Sequence, residues 1–318
     1  MKRAKPTTAR RLASVRDAAD LVRYSYGLRH QDPRSYLDTA KVAVIASRTS
    51  PATVQAQAWS NMGNALRICG RLGPARRALE IADGFNPEGD CLARHLRFRA
   101  SWHLARHDLA AAAETLREAA ELYLRLGDPK GTATCNVKYA IVLAYRGEPA
   151  AAYEVIRRTL PAIGDDRDLL RAAWDIALFA LIEEDRLADA FALLLVGQEV
   201  FYEGGEAYRL KIRWAEGLLS ARMGSLSMLE GLRDEYASNG QVLEAAQVAI
   251  DIARFAALRG QQEEFSVNAS YAGPILASLG VSVPSTAGQL DAARLLLRLQ
   301  GFGFTQGAPS GSTQAPPS

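Results

Sequence analysis

The chain has 318 residues, of which 48% are hydrophobic and 23% are charged, an ordinary composition for a soluble globular protein. It contains no run of about 18 apolar residues, which excludes a membrane span, and its basic start lacks the apolar segment of a secretory signal. Three cysteines, an odd number, stand inside helical patterns rather than in a disulfide framework. We therefore expect a cytoplasmic protein with reduced core thiols.

The charge is unevenly distributed along the chain. The net charge is only +3, but residues 1–100 hold 18 Lys/Arg against 8 Asp/Glu, whereas the remainder is acidic. Residues 1–19 therefore form either a solvated basic arm or an end that meets an acidic partner. A sequence pI near 8.8 is below that of a dedicated nucleic-acid binder, so we expect no nucleic acid as the main partner.

Helical patterns follow one another over residues 20–300. Runs such as "DLAAAAETLREAAELYLRL" combine good helix formers with apolar residues three and four positions apart, and strand-like alternation is absent. Glycine and proline interrupt these runs at short, regular distances, which predicts stacked helical hairpins. Residues 301–318, "GFGFTQGAPSGSTQAPPS", are rich in Gly, Pro, Ser and Thr and predict a disordered tail.

One stretch, residues 56–89, has a complete set of spaced packing residues. Its first helix carries Trp59, Gly63 and Leu66, its second carries Ala75, Leu79 and Ala82, and Pro87 closes the unit. Small residues at Gly63 and Ala75 predict a close crossing of the two helices. This set resembles the tetratricopeptide repeat, whose helical pairs stack into a solenoid.

Looser copies of the same pattern follow, and a divergent hairpin, "YSYGLRHQDPRSYLDTAKVAVIAS", precedes it. The alanines Ala75, Ala112, Ala152 and Ala190 are separated by 37, 40 and 38 residues, so these units are longer than the 34-residue standard. The resemblance implies an all-α, right-handed α-solenoid of about six hairpins over residues 20–300. The segment "AGQLDAARLLLRLQ" is expected to be a capping helix.

Motifs that carry catalysis are absent from the sequence. It has no nucleophile elbow, phosphate loop or dinucleotide fingerprint. Cys91 and His95, like His103 and His107, have the four-residue spacing of metal ligands. On one helix, however, the two pairs would be about 18 Å apart and could not share an ion. We expect no enzyme activity, no cofactor and no metal.

The resemblance also indicates a binding surface, because the first helices of such repeats line a concave groove. Asparagine and arginine on adjacent inner helices are similar to the carboxylate clamp by which some tetratricopeptide domains hold a peptide's C-terminus. Ser101 stands where that clamp has its second asparagine, and the alternative is a solvated polar face. The groove positions are Asn61, Asn64, Arg67, Arg94, Arg97, Ser101, Lys138 and Tyr145.

These observations favour a protein-interaction scaffold that holds a peptide or partner segment, with an acidic stretch or a C-terminal carboxylate as the recognised group. Two alternatives stay open: a regulatory sensor of a signalling peptide, and a nucleic-acid-associated regulator that uses the basic N-terminal third. The oligomeric state is left open by the sequence.

Overall fold

Helices joined by short turns make up the residues that the structure of the protein, a computed structural model, describes: 17–29, 32–203, 206–278, 282–285 and the single positions 289, 291 and 293. The predicted tail, residues 301–318, and most of the predicted arm lie outside these ranges. The first helix begins at Ala18, where the Asp17 carboxylate caps it by accepting from the backbone N–H of Asp20.

Fifteen α-helices and one 3₁₀ turn (Ser47–Thr49) run through the described residues, and no strand occurs in them. We number the helices in chain order. Their bounds are α1 Ala18–Gly27, α2 Pro33–Ala46, α3 Ala52–Ile68, α4 Leu72–Asp83, α5 Gly89–Ala105, α6 Leu109–Arg125, α7 Pro129–Tyr145, α8 Pro149–Ile163, α9 Arg167–Glu183, α10 Leu187–Tyr202, α11 Glu206–Arg222, α12 Ser227–Ser238, α13 Val242–Leu258, α14 Gln262–Tyr271 and α15 Gly273–Ser278.

The chain divides between Asp108 and Leu109 into two compact units. In the first unit, α3 packs against α1, α2, α4 and α5, so it is the central helix of the unit. Tyr36, Leu66, Leu79, Phe98 and Trp102 belong to one buried cluster there. The first helices of successive hairpins, α1, α3 and α5, therefore lie beside one another.

The second unit shows the same nearest-neighbour arrangement. Each helix from α6 to α14 packs against the next one along the chain, and α7, α9, α11 and α13 also contact one another in succession. Packing restricted to adjacent elements is the property that defines a solenoid. Ala293 is buried in the cluster that includes Ala246 and Phe265, and most of the expected capping segment, residues 287–300, lies outside the described residues. The all-α solenoid class is therefore confirmed.

The close helix crossing expected at Gly63 is present. A Cβ atom on Gly63 would lie only 2.8 Å from Leu79 Cγ and 3.3 Å from the Ala75 carbonyl oxygen, so the missing side chain lets α3 and α4 meet. Ala75 is fully buried, and Pro87 lies in the connection to α5. A second close crossing occurs at Gly217, where a Cβ would lie 2.7 Å from Leu229.

Several turns inside the repeats share one backbone geometry. At Gly70, Gly147 and Gly260 the second residue after the first helix has a φ between 70° and 77°, and the next N–H bonds back to a carbonyl five residues earlier. His107 and Asp185 take the same left-handed conformation, with φ of 64° and 59°. Because these two turns have no glycine, the spacing of glycines in the sequence does not reveal them.

Filling the space at Gly63 should destabilise the first unit. We expect Gly63→Val to lower the free energy of unfolding by about 2 kcal/mol, because the added methyl groups would overlap Leu79. Gly73→Ala is the matched control, since no heavy atom lies within 4 Å of that position and its effect should be neutral or slightly stabilising. Urea denaturation followed by circular dichroism measures both; equal stability of the two variants would contradict the close crossing.

Candidate functional site

Six of the eight predicted groove residues lie on two adjacent helices of the first unit. Asn61, Asn64 and Arg67 lie on α3. The other three, Arg94, Arg97 and Ser101, lie on α5. The remaining two, Lys138 and Tyr145, are on α7 in the second unit, where Lys138 is half-buried and Tyr145 is buried. The candidate site consists of first-unit residues only.

A buried hydrogen-bond network connects α1, α2 and α3. The Tyr36 hydroxyl is fully enclosed; it donates to Asn61, whose Oδ1 lies at 2.7 Å, and accepts from Asn64 Nδ2 at 3.0 Å. The Asn61 amide in turn donates to Ser25 Oγ at 2.5 Å. Burial raises the pKa of Tyr36, so the phenol stays protonated and keeps both of its hydrogen bonds.

Arg67 is the charged member of this network. Its side chain is buried, and Nε and Nη2 donate to Asn64 Oδ1 at 3.2 and 3.0 Å. Burial lowers the pKa of Arg67 to about 10, which still leaves the guanidinium charged at neutral pH. No carboxylate within the described ranges pairs with it. Because a buried charge is costly unless it is paired, this guanidinium leaves a positive charge to be neutralised.

Two further arginines surround the neighbouring Tyr26. The Arg29 guanidinium lies 4.0 Å from the centroid of the Tyr26 ring, and Arg97 Nη2 donates to the Tyr26 hydroxyl at 3.2 Å. Tyr26 is close enough to Arg67 to influence its pKa, and Arg29 and Arg67 both influence that of Tyr36. Two guanidinium groups therefore contact Tyr26 and a third, that of Arg67, lies within electrostatic range of it, an arrangement suited to an anionic ligand.

The other predicted residues of this unit have different roles. Asn61 is only 2% exposed and uses its amide inside the network, and the Ser101 hydroxyl donates to the Arg97 carbonyl oxygen at 2.9 Å. Arg94 Nη2 lies 3.1 Å from Asp90 on the same helix. The structure thus buries both residues: Asn61 joins α3 to Ser25 of α1 and Tyr36 of α2, whereas the Ser101 hydrogen bond stays within α5. Of the two asparagines, Asn64 alone contacts a site arginine directly.

Sequence reasoning missed Tyr26, Arg29 and Tyr36. They lie on α1, the turn after it and α2, in the divergent entry hairpin "YSYGLRHQDPRSY", which has no repeat signature to set its register. The available signal was two arginines and three tyrosines within this short polar stretch beside the clear repeat. Only the packing of α1 and α2 on α3 brings them together with Arg67.

A second polar group lies under the same surface. Ser60 Oγ is 2.8 Å from His95 Nδ1, and His95 Nε2 is 2.9 Å from Asp83 Oδ1, although its N–H direction does not suit a hydrogen bond. Ser60 and His95 are buried, so a substrate cannot approach the serine. Burial lowers the pKa of His95 and outweighs the opposite effect of Asp83.

The histidines considered as metal ligands have other contacts. His95 faces Ser60 and Asp83, and His103 Nδ1 lies 3.4 Å from Asp108. Within the described residues no cluster of three or more His, Cys, Asp or Glu side chains is arranged to hold a metal ion. None of Cys69, Cys91 and Cys135 forms a disulfide bond, and burial raises the pKa of Cys91 to about 11, so its thiol stays protonated.

Comparison with known proteins supports the architecture. No family model matches the chain, and no curated protein matches its sequence. A solved structure described as a Rap protein complexed with competence and sporulation factor matches in fold with a TM-score of 0.66. The match covers 89% of this chain and 79% of that one at 12% identity. The fold is that of a tetratricopeptide-like helical repeat protein. None of the described helices is both long and apolar enough to cross a membrane.

Removing the Tyr36 hydroxyl tests the buried network. We expect Tyr36→Phe to lower the free energy of unfolding by about 1–3 kcal/mol, because Asn61 Oδ1 and Asn64 Nδ2 would lose a shared partner in a buried environment. Tyr24→Phe, on the same hairpin and half-buried, is the control. Thermal denaturation of both variants measures the difference; if the two variants lose the same stability, the network does not contribute as described.

The buried His95 should make stability depend on pH. Its pKa is lowered in the folded protein, so below about pH 6.5 the unfolded chain binds more protons and the free energy of unfolding decreases with decreasing pH. His95→Gln should reduce this slope by at most ~1.4 kcal/mol per pH unit. His103 and His107 contribute in the same direction and remain in the variant. Denaturation curves between pH 5 and 8 measure the slope, and an unchanged slope would contradict this assignment.

Proposed function

We propose that the protein binds a peptide or an extended partner segment on the face formed by α1, α3 and α5, and that it recognises a carboxylate of that ligand through Arg67. The observation that carries this proposal is the buried, charged Arg67 guanidinium with no carboxylate partner in the described part of the chain. Arg29 and Arg97 would add two further donors near the same point.

The arrangement is better suited to binding than to catalysis. Ser60, His95 and Asp83 lie in series, with Ser60 hydrogen-bonded to Nδ1 of the ring, but the serine is only 2% exposed. A nucleophile must reach its substrate, and this serine lies inside the packing of α3 on α5. By contrast, Asn64 and Tyr26 accept hydrogen bonds from Arg67 and Arg97 and so fix the direction of these two guanidinium groups. These contacts support a non-enzymatic role.

The fold comparison supports a peptide as the ligand of this protein. The matching Rap protein was solved in complex with competence and sporulation factor, so a helical repeat of this architecture does hold such a factor. We propose that this chain likewise acts as a cytoplasmic sensor or adaptor whose ligand is a peptide. Small-angle scattering with and without the ligand separates the two roles, because a sensor should change its radius of gyration and an adaptor should not.

The direct test uses peptides of defined ends. Full-length protein is mixed with a pool of random seven-residue peptides that have a free C-terminal carboxylate, or with the same pool C-terminally amidated. Mass spectrometry identifies the peptides retained. We expect enrichment from the free-acid pool; retention of amidated peptides that contain Asp or Glu would show that a side-chain carboxylate is recognised instead. Retention from both pools without any acidic preference would overturn the proposal.

Arg67→Gln should separate binding from stability. The substitution keeps a donor for Asn64 Oδ1 but removes the buried charge, so we expect at least tenfold weaker peptide binding with unchanged or higher thermal stability. Arg77→Gln is the matched control because this arginine is exposed on α4. Binding of a retained peptide is measured by isothermal titration calorimetry. Equal affinity of the Arg67 and Arg77 variants would exclude Arg67 as the recognition residue.

A further inference from the structure

Helix α10, the second helix of the α9–α10 hairpin, has an apolar face that its own unit does not cover. One side of α10 is buried through Ala190, Leu194 and Phe201. A Cβ on Gly197 would lie 2.9 Å from Trp174 of α9, so this side packs closely on that helix. The other side exposes four large side chains: Phe191 at 52%, Leu195 at 67%, Val196 at 73% and Tyr202 at 43%.

This face differs from the exposed faces of the preceding second helices in the unit. The exposed positions of α6 include Glu114, Arg117, Glu118 and Glu121, and those of α8 include Arg157 and Arg158. On α10, by contrast, no charged residue occurs between Asp189 and Glu199. Four large apolar side chains exposed on one helix are more typical of a binding surface than of ordinary surface composition.

The acidic residues on and beside α10 indicate the charge that a partner should carry. Asp189 and Glu203 already pair with Arg186 and Arg167, at 2.5 and 3.8 Å. Glu184, in the turn before α10, and Glu199, near its end, are exposed and have no ion pair in the described part of the chain. The last turn of α10 contains no basic residue, so the negative end of the helix dipole adds to Glu199.

A second copy of this chain is a poor match for the face. In either a parallel or an antiparallel pairing of two α10 helices, the unpaired carboxylates at the ends would meet carboxylates, and like charges across an interface are unfavourable. A helix with an apolar stripe and basic residues at its borders would satisfy both features. Its apolar side chains would cover Leu195 and Val196, and its cations would face Glu184 and Glu199.

We propose that the exposed face of α10, composed of Phe191, Leu195, Val196 and Tyr202, docks an amphipathic helix of a partner protein whose apolar stripe is bordered by lysine or arginine. This surface is independent of the Arg67 site. It gives the protein a place to hold an effector while a ligand occupies the first unit.

The probe is a synthetic 18-residue helical peptide with leucine at positions i, i+3, i+4 and i+7 and lysine at both borders. Binding to the full-length protein is measured by fluorescence anisotropy. We expect the double variant F191Q/L195Q to raise Kd at least tenfold. Leu124→Gln is the matched control, because Leu124 on α6 is 70% exposed and equally apolar, and its Kd should stay within twofold of wild type.

Charge is tested with two further arms. Glu199→Gln should weaken binding of the lysine peptide and reduce its dependence on salt, and the same peptide with glutamate borders should bind at least tenfold more weakly. Arg67→Gln should leave binding of the lysine peptide unchanged. The α10 proposal can therefore be tested independently of the Arg67 proposal. Equal binding by F191Q/L195Q and wild type, or equal binding of the glutamate peptide, would overturn the proposal. So would sedimentation showing that wild type is a dimer and F191Q/L195Q a monomer, since a second copy would then cover the face.

Discussion

The structure depends on how closely consecutive helices approach. Gly63 against Leu79 and Gly217 against Leu229 show the same arrangement in the two units, with a missing side chain on the first helix and a leucine on the second. An α-helix can bury only one stripe of its own surface, so each helix in such a chain is stable only through its neighbours. These close crossings join the two helices of a hairpin, and contacts between successive hairpins place the first helices side by side; the candidate site is built on that row in the first unit.

The candidate site buries both polar groups and a charge, and each of these is unfavourable for folding unless it finds a partner. Tyr36, Asn61 and Asn64 place several polar groups in a buried environment, where each requires a partner. Arg67 adds a charge that Asn64 contacts but does not neutralise. Polar networks of this kind hold their members in one orientation, and a rigid guanidinium suits recognition of a planar carboxylate. Burying a charge without a counter-charge costs stability, and a carboxylate ligand would restore the charge balance.

The two proposed surfaces differ in their physical character. The face around Arg67 is cationic and hydrogen-bonded, and its selectivity would come from charge. The face of α10 is apolar with acidic ends, and its affinity would come from the area that a partner helix covers. A helical repeat protein can carry both, because each hairpin presents surfaces that its packing does not use.

The sequence by itself determined the helical class, the repeat length and the crossing at Gly63, because periodicity and small-residue spacing are local properties of the chain. It also placed Arg67 and Arg97 on adjacent helices. Tertiary structure alone decided which polar residues are enclosed and which converge. Asn61 and Ser101 were predicted as groove residues together with Asn64, but their side chains form hydrogen bonds inside the unit. Tyr26, Arg29 and Tyr36 come from an entry hairpin that has no repeat signature. Which side chains are buried and which come together depends on contacts between helices that are distant in sequence. The local spacing of residues along the chain does not determine those contacts.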